Sequence, residues 1–340
     1  MIASINPATG ETLATFAPYT NAEVDARLAL ALQAAAEWRR TSVSERAKVL
    51  RQAAALLDSE RETHARLMTT EMGKLLRAAR DEVAKCALAL RYYADHAATF
   101  MATDVVLDEA TQRGEVHYQP LGVVLAVMPW NFPFWQVMRF AAPALAAGNV
   151  GLLKHASNVP QCALALESLW ERAGAPRGVF QTLLIESSRV DALIADPRVA
   201  AVTLTGSEGA GRAVASAAGR AIKKTVLELG GSDPFIVTAH ADVAAAARAA
   251  VTARTINNGQ SCIAAKRFFC VNAVADEFTQ RFTAGMRALR YGDPMDPDSD
   301  LGPLATRSIR DELHAQVQLT IARGGNCALG GVPIDAPGFY

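Results

Sequence analysis

Cys262 closes the stretch Asn257-Asn258-Gly259-Gln260-Ser261-Cys262, and Glu228 stands 34 positions earlier in Leu227-Glu228-Leu229-Gly230-Gly231. A thiolate can add to a carbonyl carbon and hold it as a covalent adduct, and a carboxylate can then activate the water that hydrolyses it. A free thiol ionises near about 8.5, so a working nucleophile wants a polar or electropositive niche. Lys266 and Arg267 follow Cys262 closely, and Gly259 allows close backbone approach. A cysteine alone reads as a small buried hydrophobe, the reading given to Cys86, Cys162, Cys270 and Cys327. Glu228 ends an apolar run before two glycines, at a strand end where open α/β sheets place ligand sites. Burial there is expected to raise its pKa and make it a better base; the plainer alternative is a solvated strand-end charge.

Two further stretches fit the same chemistry. Met128-Pro129-Trp130-Asn131-Phe132-Pro133 follows the apolar run 122–127. An Asn amide fixed between bulky aromatics and prolines can donate to a developing oxyanion. No GxGxxG is present, but Leu204-Thr205-Gly206-Ser207-Glu208-Gly209-Ala210-Gly211 follows a strand-like run and opens a helix, the setting for a pyrophosphate at a helix N-terminus. Lys154 ends the neighbouring run Leu152-Leu153-Lys154 and offers an ammonium to ribose hydroxyls or a phosphate.

Such residues need a scaffold that delivers strand ends to one place. Residues 22–100 read as helices, with Ser42 and Glu45 at capping-box spacing ahead of the apolar stripe Val49, Leu50, Ala53, Leu56 and Leu57. The stretch 106–119 reads as an extended arm or hairpin. Short apolar runs at 122–128, 150–153, 179–184, 199–204 and 225–229 then alternate with helical segments such as 159–173 and 210–221, a βαβ rhythm implying a mostly parallel sheet. A second alternation follows the Gly/Pro cluster 230–234, the best domain boundary.

Composition excludes several classes. The 340 residues are 51% hydrophobic and 20% charged, which suits two packed domains and argues against disorder. Lys+Arg and Asp+Glu both number 34, so no nucleic-acid or anionic-membrane partner is expected. The five scattered cysteines show no metal-ligand or disulfide spacing, so no metal site is expected. There is no secretory signal pattern and no apolar run of membrane-spanning length, giving a cytoplasmic expectation.

Taken together, Pro129-Trp130-Asn131-Phe132-Pro133, Lys154, Thr205-Gly206-Ser207, Glu228-Leu229-Gly230-Gly231 and Gly259-Gln260-Ser261-Cys262 resemble, in order and spacing, the aldehyde dehydrogenase superfamily over essentially the whole chain. Leu153-Lys154-His155-Ala156, Leu229-Gly230-Gly231-Ser232-Asp233-Pro234-Phe235 and Ala264-Ala265-Lys266-Arg267 look most like the bacterial succinate-semialdehyde dehydrogenases of the Sad/YneI type. The resemblance implies an α/β fold with a Rossmann-type NAD(P)-binding domain (1–105 and 122–230), a bridging or oligomerisation arm (106–121) and an α/β catalytic domain (231–340). It implies that Cys262 attacks an aldehyde, that Asn131 and the Cys262 N–H stabilise the oxyanion, and that Glu228 activates water. It implies NAD or NADP contacts from Trp130, Lys154, Gly206, Ser207 and the Leu229 backbone.

Departures from the family pattern refine these expectations. Ser157 replaces the Glu that grips the adenosine ribose in many NAD-preferring members; a hydroxyl tolerates a 2′-phosphate that a carboxylate would repel. Arg139, eight residues after Asn131, sits where succinate-semialdehyde dehydrogenases carry an arginine for the distal carboxylate. The second arginine of many such enzymes is replaced by Ile256. The chain stops at Tyr340 where members of the family continue, so the resemblance implies an incomplete catalytic domain and puts the family's homo-oligomer in doubt. Two alternatives stay open: a CoA-acylating enzyme, against which Glu228 argues, and an inactive shortened form.

Overall fold

In the computed structural model, which describes residues 1–340, the middle apolar runs become one parallel sheet. The chain opens with a two-stranded sheet of β1 (Ile2–Ile5) and β2 (Thr12–Phe16), then four helices: α1 (Asn21–Trp38), α2 (Val43–Ser59), α3 (Arg61–Met72) and α4 (Leu76–Phe100). β3 (Asp104–Glu109) and β4 (Gln112–Val116) form an antiparallel hairpin on the stretch read as an arm. The alternating region follows as β5 (Val123–Met128), α5 (Trp135–Ala146), β6 (Val150–His155), α6 (Pro160–Arg172), β7 (Phe180–Thr182), α7 (Val190–Ala195), β8 (Val199–Thr205), α8 (Glu208–Arg220) and β9 (Lys224–Glu228). The last third holds β10 (Pro234–Val237), α9 (Val243–Thr255), β11 (Arg267–Cys270), α10 (Asn272–Arg287) and α11 (Arg307–Ala322). The β1–β2 pair and α11 carry no marked signal in the sequence.

Two compact units result, one of residues 1–3, 15–64 and 80–228, the other of 4–14, 65–79 and 229–340. The first is built on the parallel sheet β7-β6-β5-β8-β9. Strand β6 is buried along its whole length and β5 nearly so, because helices cover both faces of a parallel sheet and both faces must then be apolar. Helix α5 buries Val137, Met138, Ala141 and Leu145. The indole N–H of Trp38 on α1 donates to Leu145 O at 3.0 Å, and Arg46 Nε on α2 donates to Ala146 O at 2.8 Å, which closes the end of α5. Ser42 and Glu45 form the expected capping box at α2, and Leu50, Ala53 and Leu57 face inward.

The second unit pairs β10 with β11 in parallel. Val237, Val243, Ala247, Ala250 and Phe278 form its core, with Phe268 and Phe282 packed alongside, their rings tilted by 43° at 4.9 Å between centroids. Segments 4–14 and 65–79 join this unit through backbone pairing that composition does not show: Leu76 N–H donates to Pro294 O and Phe339 N–H to Pro7 O, each at 2.9 Å. Two early segments thus join the C-terminal unit, and the β3–β4 hairpin stays with the sheet.

Candidate active site

Strand register lines up the sheet's functional ends. Val127 lies opposite Lys154 on one side and Leu204 on the other, and Thr205 lies opposite Glu228. The strand order reverses at β5 and β8, and ligands of open α/β sheets bind beyond the C-terminal ends at such a switch point. The loop carrying Trp130 and Asn131 leaves β5, and the turn carrying Gly206 and Ser207 leaves β8.

Two buried side chains hold the Asn131 loop. The His155 Nδ1 lies 2.9 Å from Ala156 N–H and 3.3 Å from Met128 O, and its Nε2 lies 2.9 Å from Pro133 O; the shorter Ala156 contact favours the tautomer that accepts at Nδ1 and donates from Nε2 to Pro133 O. Burial pushes its pKa from 6.5 down to about 4, which keeps the ring neutral at neutral pH. Glu82 on α4 accepts from Phe134 N–H (2.9 Å) and Trp135 N–H (2.8 Å) with one oxygen, serving the α5 N-terminus where no side chain of the local sequence caps it. Lys85 lies over the Trp135 ring at 4.0 Å. Within the loop, Asn131 Oδ1 accepts from Phe132 N–H at 3.1 Å, which turns the NH2 end of the carboxamide the other way. His155 and Glu82 carried no role in the sequence reading. His155 lay inside a quoted motif; for Glu82 there was no signal.

The nucleotide-binding features fit together in the first unit. Ser207 caps α8 by accepting from Ala210 N–H at 3.3 Å, leaving a helix N-terminus at the sheet's C-terminal end. A Cβ on Gly206 would meet nothing closer than 3.6 Å, so that glycine serves the turn without a local clash demanding it. Lys154 is buried, its Nζ donating to Ser187 Oγ at 3.2 Å, and desolvation lowers its pKa. Ser157 is exposed, and the buried Asn158 Nδ2 has no protein partner. A cation, hydroxyls, an orphaned donor and a helix N-terminus are a donor set suited to a dinucleotide's phosphates and ribose.

Glu228 ends β9, but not as expected. Its side chain is 55% exposed because β9 is the edge strand with little cover along its length, so the burial expected of it is absent. Its partner is Arg139 on α5, with Nη2 to Oε2 at 3.0 Å. Both line a cavity of about 380 Å³ in the first unit together with Gln136, Phe140, Thr203 and Thr205. Trp130 and Asn131 are half-buried.

Cys262 and Leu229 belong to the second unit, and both are exposed. The turn before Cys262 is left-handed at three successive residues: Asn257 (φ 54°), Asn258 (φ 56°) and Gly259 (φ 74°). Asparagine and glycine are the residues that tolerate this region. Asn258 Nδ2 donates to Gly73 O at 2.8 Å, and the Arg254 guanidinium donates to Ala265 O at 2.8 Å and to Gly259 O. Lys266 Nζ donates to the carbonyls of Cys262 (2.9 Å), Gly231 (2.8 Å) and Ala264 (3.2 Å), and Arg267 Nε to Ser232 O at 2.7 Å. The two cations thus tie the segment following Glu228 to the cysteine loop. Cys86 and Cys162 are buried as expected, whereas Cys270 is half-buried and Cys327 is exposed, on a glycine-rich tail. No group of three or more His, Cys, Asp or Glu side chains is placed to hold a metal, and no helix is long and apolar enough to cross a membrane.

The sequence matches the aldehyde dehydrogenase family over residues 1–340. The chain belongs to that family. Among similar proteins, a probable succinate-semialdehyde dehydrogenase (NADP+) of Synechocystis sp. is 56% identical over 339 residues, covering 100% of this chain and 74% of the relative. The succinate-semialdehyde dehydrogenase (NADP+) of Mycobacterium leprae is 55% identical over 341 residues, covering 100% and 75%. A crystal structure of the Streptococcus pyogenes succinic semialdehyde dehydrogenase with NADP+ superposes with a TM-score of 0.97 at 38% identity, covering 100% of this chain and 75% of that one. The present chain therefore spans about three quarters of such relatives' length. Their similarity establishes the aldehyde dehydrogenase fold and an oxidoreductase ancestry whose substrates are aldehydes.

Proposed function

We propose that this aldehyde dehydrogenase oxidises an aldehyde bearing a distal carboxylate, succinate semialdehyde foremost, to the acid, using NADP or NAD. The single observation that carries the reading is Arg139, whose guanidinium shares a cavity with the strand-end carboxylate Glu228. A guanidinium at that point can bind a substrate carboxylate bidentately. NADP tolerance is supported by Ser157, which brings no negative charge against a 2′-phosphate, and by relatives named for NADP(+).

Lys154, Ser157, Gly206, Ser207, Trp130 and the Leu229 backbone would hold the dinucleotide, which supplies the hydride acceptor when bound. Cys262 adds to the aldehyde carbon, and the Asn131 amide and the Cys262 N–H stabilise the oxyanion; loss of the former aldehyde hydrogen as hydride, for which the bound dinucleotide would supply the acceptor, leaves a thioester on Cys262. Glu228 takes a proton from water, whose oxygen attacks the thioester carbon; the C–S bond breaks, and the carboxylic acid leaves the thiolate behind. Five free thiols support a reducing, cytoplasmic setting. The family's homo-oligomer is part of the same reading, supported by exposed Val105, Val106 and Val116 on the β3–β4 hairpin.

Purified chain with succinate semialdehyde and NADP+ should yield reduced nicotinamide and succinate in equal amounts. Cys262→Ala should give neither. Glu228→Gln should give one equivalent of reduced nicotinamide per chain and then stall, with the acyl group on Cys262 detectable by mass spectrometry. Steady turnover by Glu228→Gln at the rate of the unaltered chain would remove Glu228 from the hydrolytic step.

A further inference from the structure

We propose that Glu228 is also a specificity determinant: it holds Arg139 in the resting chain, and a substrate carboxylate competes with it for the guanidinium. This rests on the reading that Arg139 meets the substrate carboxylate and Glu228 activates water. Arg139 Nη2 engages Oε2 of Glu228 at 3.0 Å, so the guanidinium that would meet a substrate carboxylate already has a carboxylate partner within the chain.

The backbones on both sides are fixed, which confines the motion to the two side chains. The main-chain carbonyl of Glu228 accepts from Gly206 N–H at 2.9 Å, and Glu228 is in register with Thr205. Arg139 rides on α5, whose N-terminus is held by Glu82. The pair is partly exposed, 34% at Arg139 and 55% at Glu228, so solvent screens it and an incoming anion can exchange with it. A deeply buried pair would resist such exchange. The recorded contact is through one nitrogen and one oxygen, whereas a guanidinium can grip a carboxylate with two parallel N–H donors. A ligand carboxylate that achieves the two-point grip therefore displaces Glu228. A neutral aldehyde offers nothing to Arg139 and leaves the pair in place, so selection falls on binding.

Succinate tests this without requiring turnover, since it presents carboxylates and does not react. Its affinity for the 340-residue chain is measured by calorimetry for the unaltered protein, Glu228→Gln, Glu228→Asp and Arg139→Leu, with circular dichroism confirming that each is folded. Both Glu228 variants should bind succinate about fivefold more tightly, the Asp variant because its shorter arm gives up Arg139 while keeping its charge. Arg139→Leu should weaken binding by at least about tenfold. Equal affinity in the unaltered chain and both Glu228 variants, with binding still lost in Arg139→Leu, overturns the release device and leaves Arg139 as a carboxylate site. Tightening in Glu228→Gln alone means general repulsion and also overturns it. Unchanged binding in Arg139→Leu, or no binding by any form, removes Arg139 from substrate recognition and the device with it.

Discussion

His155 shows how a single buried ring sets a pH limit on the loop it supports. Its ordinary pKa of 6.5 falls to about 4 in the folded chain because burial strips the imidazolium of water. Below 6.5 the unfolded chain takes up a proton that the folded chain refuses, so stability is complete above 6.5 and drains away as pH falls toward 4. The span corresponds to about 3 kcal/mol. Urea midpoints measured against pH should therefore fall more steeply for the unaltered chain than for His155→Gln, which retains a donor for Pro133 O but does not titrate. Parallel curves would show that the ring accepts its proton in place. The residue scale is also where sequence reading was least complete. Asn131, Glu228 and Cys262 stand in recognisable motifs, so their types and positions were legible. Whether Glu228 is covered depends on its strand being at the sheet edge, and its pairing with Arg139 depends on how a helix lies over that sheet. Neither quantity is written in local spacing.

At the scale of elements, helix α5 depends on a residue from another helix. Its first N–H groups, at Phe134 and Trp135, meet a Glu82 oxygen at 2.9 and 2.8 Å in a buried position. Glu82→Ala would leave two buried donors without that acceptor, at a cost of roughly 2–4 kcal/mol. Chemical denaturation should register this loss, while Glu82→Gln, which keeps an acceptor oxygen, should lose clearly less; equal losses would mean that the carboxylate's charge rather than its oxygen matters. Elements themselves were well marked in the sequence. Strands buried on both faces must be continuously apolar, so β5, β6 and β8 stand out, and Ser42 with Glu45 announces the start of α2. The Glu82 contact was invisible because its partners lie about fifty positions away and nothing local requires an acid there.

For the whole molecule, the connectivity is the notable property. The second unit takes in residues 4–14 and 65–79 along with 229–340, so its loops rest on strands and turns supplied from early in the chain. Asn258 beside the cysteine turn donates to Gly73 O, and Phe339 N–H donates to Pro7 O. A fragment of residues 229–340 expressed alone lacks those partners and should show little cooperative unfolding, whereas the 340-residue chain should unfold cooperatively; a sharp transition in the fragment would show that β10, β11, α9 and α10 suffice. A βαβ rhythm broken by a Gly/Pro cluster suggests one cut at 230–234, and composition cannot reveal that earlier segments return to the later unit. That return has a hereditary consequence. Because the peptide passes back and forth between the units, no single exchange of gene segments transplants either one intact. The nucleotide-side residues and the cysteine turn must be passed on together, and new substrate preferences are more readily reached by point changes, at Arg139 or Ser157, than by shuffling.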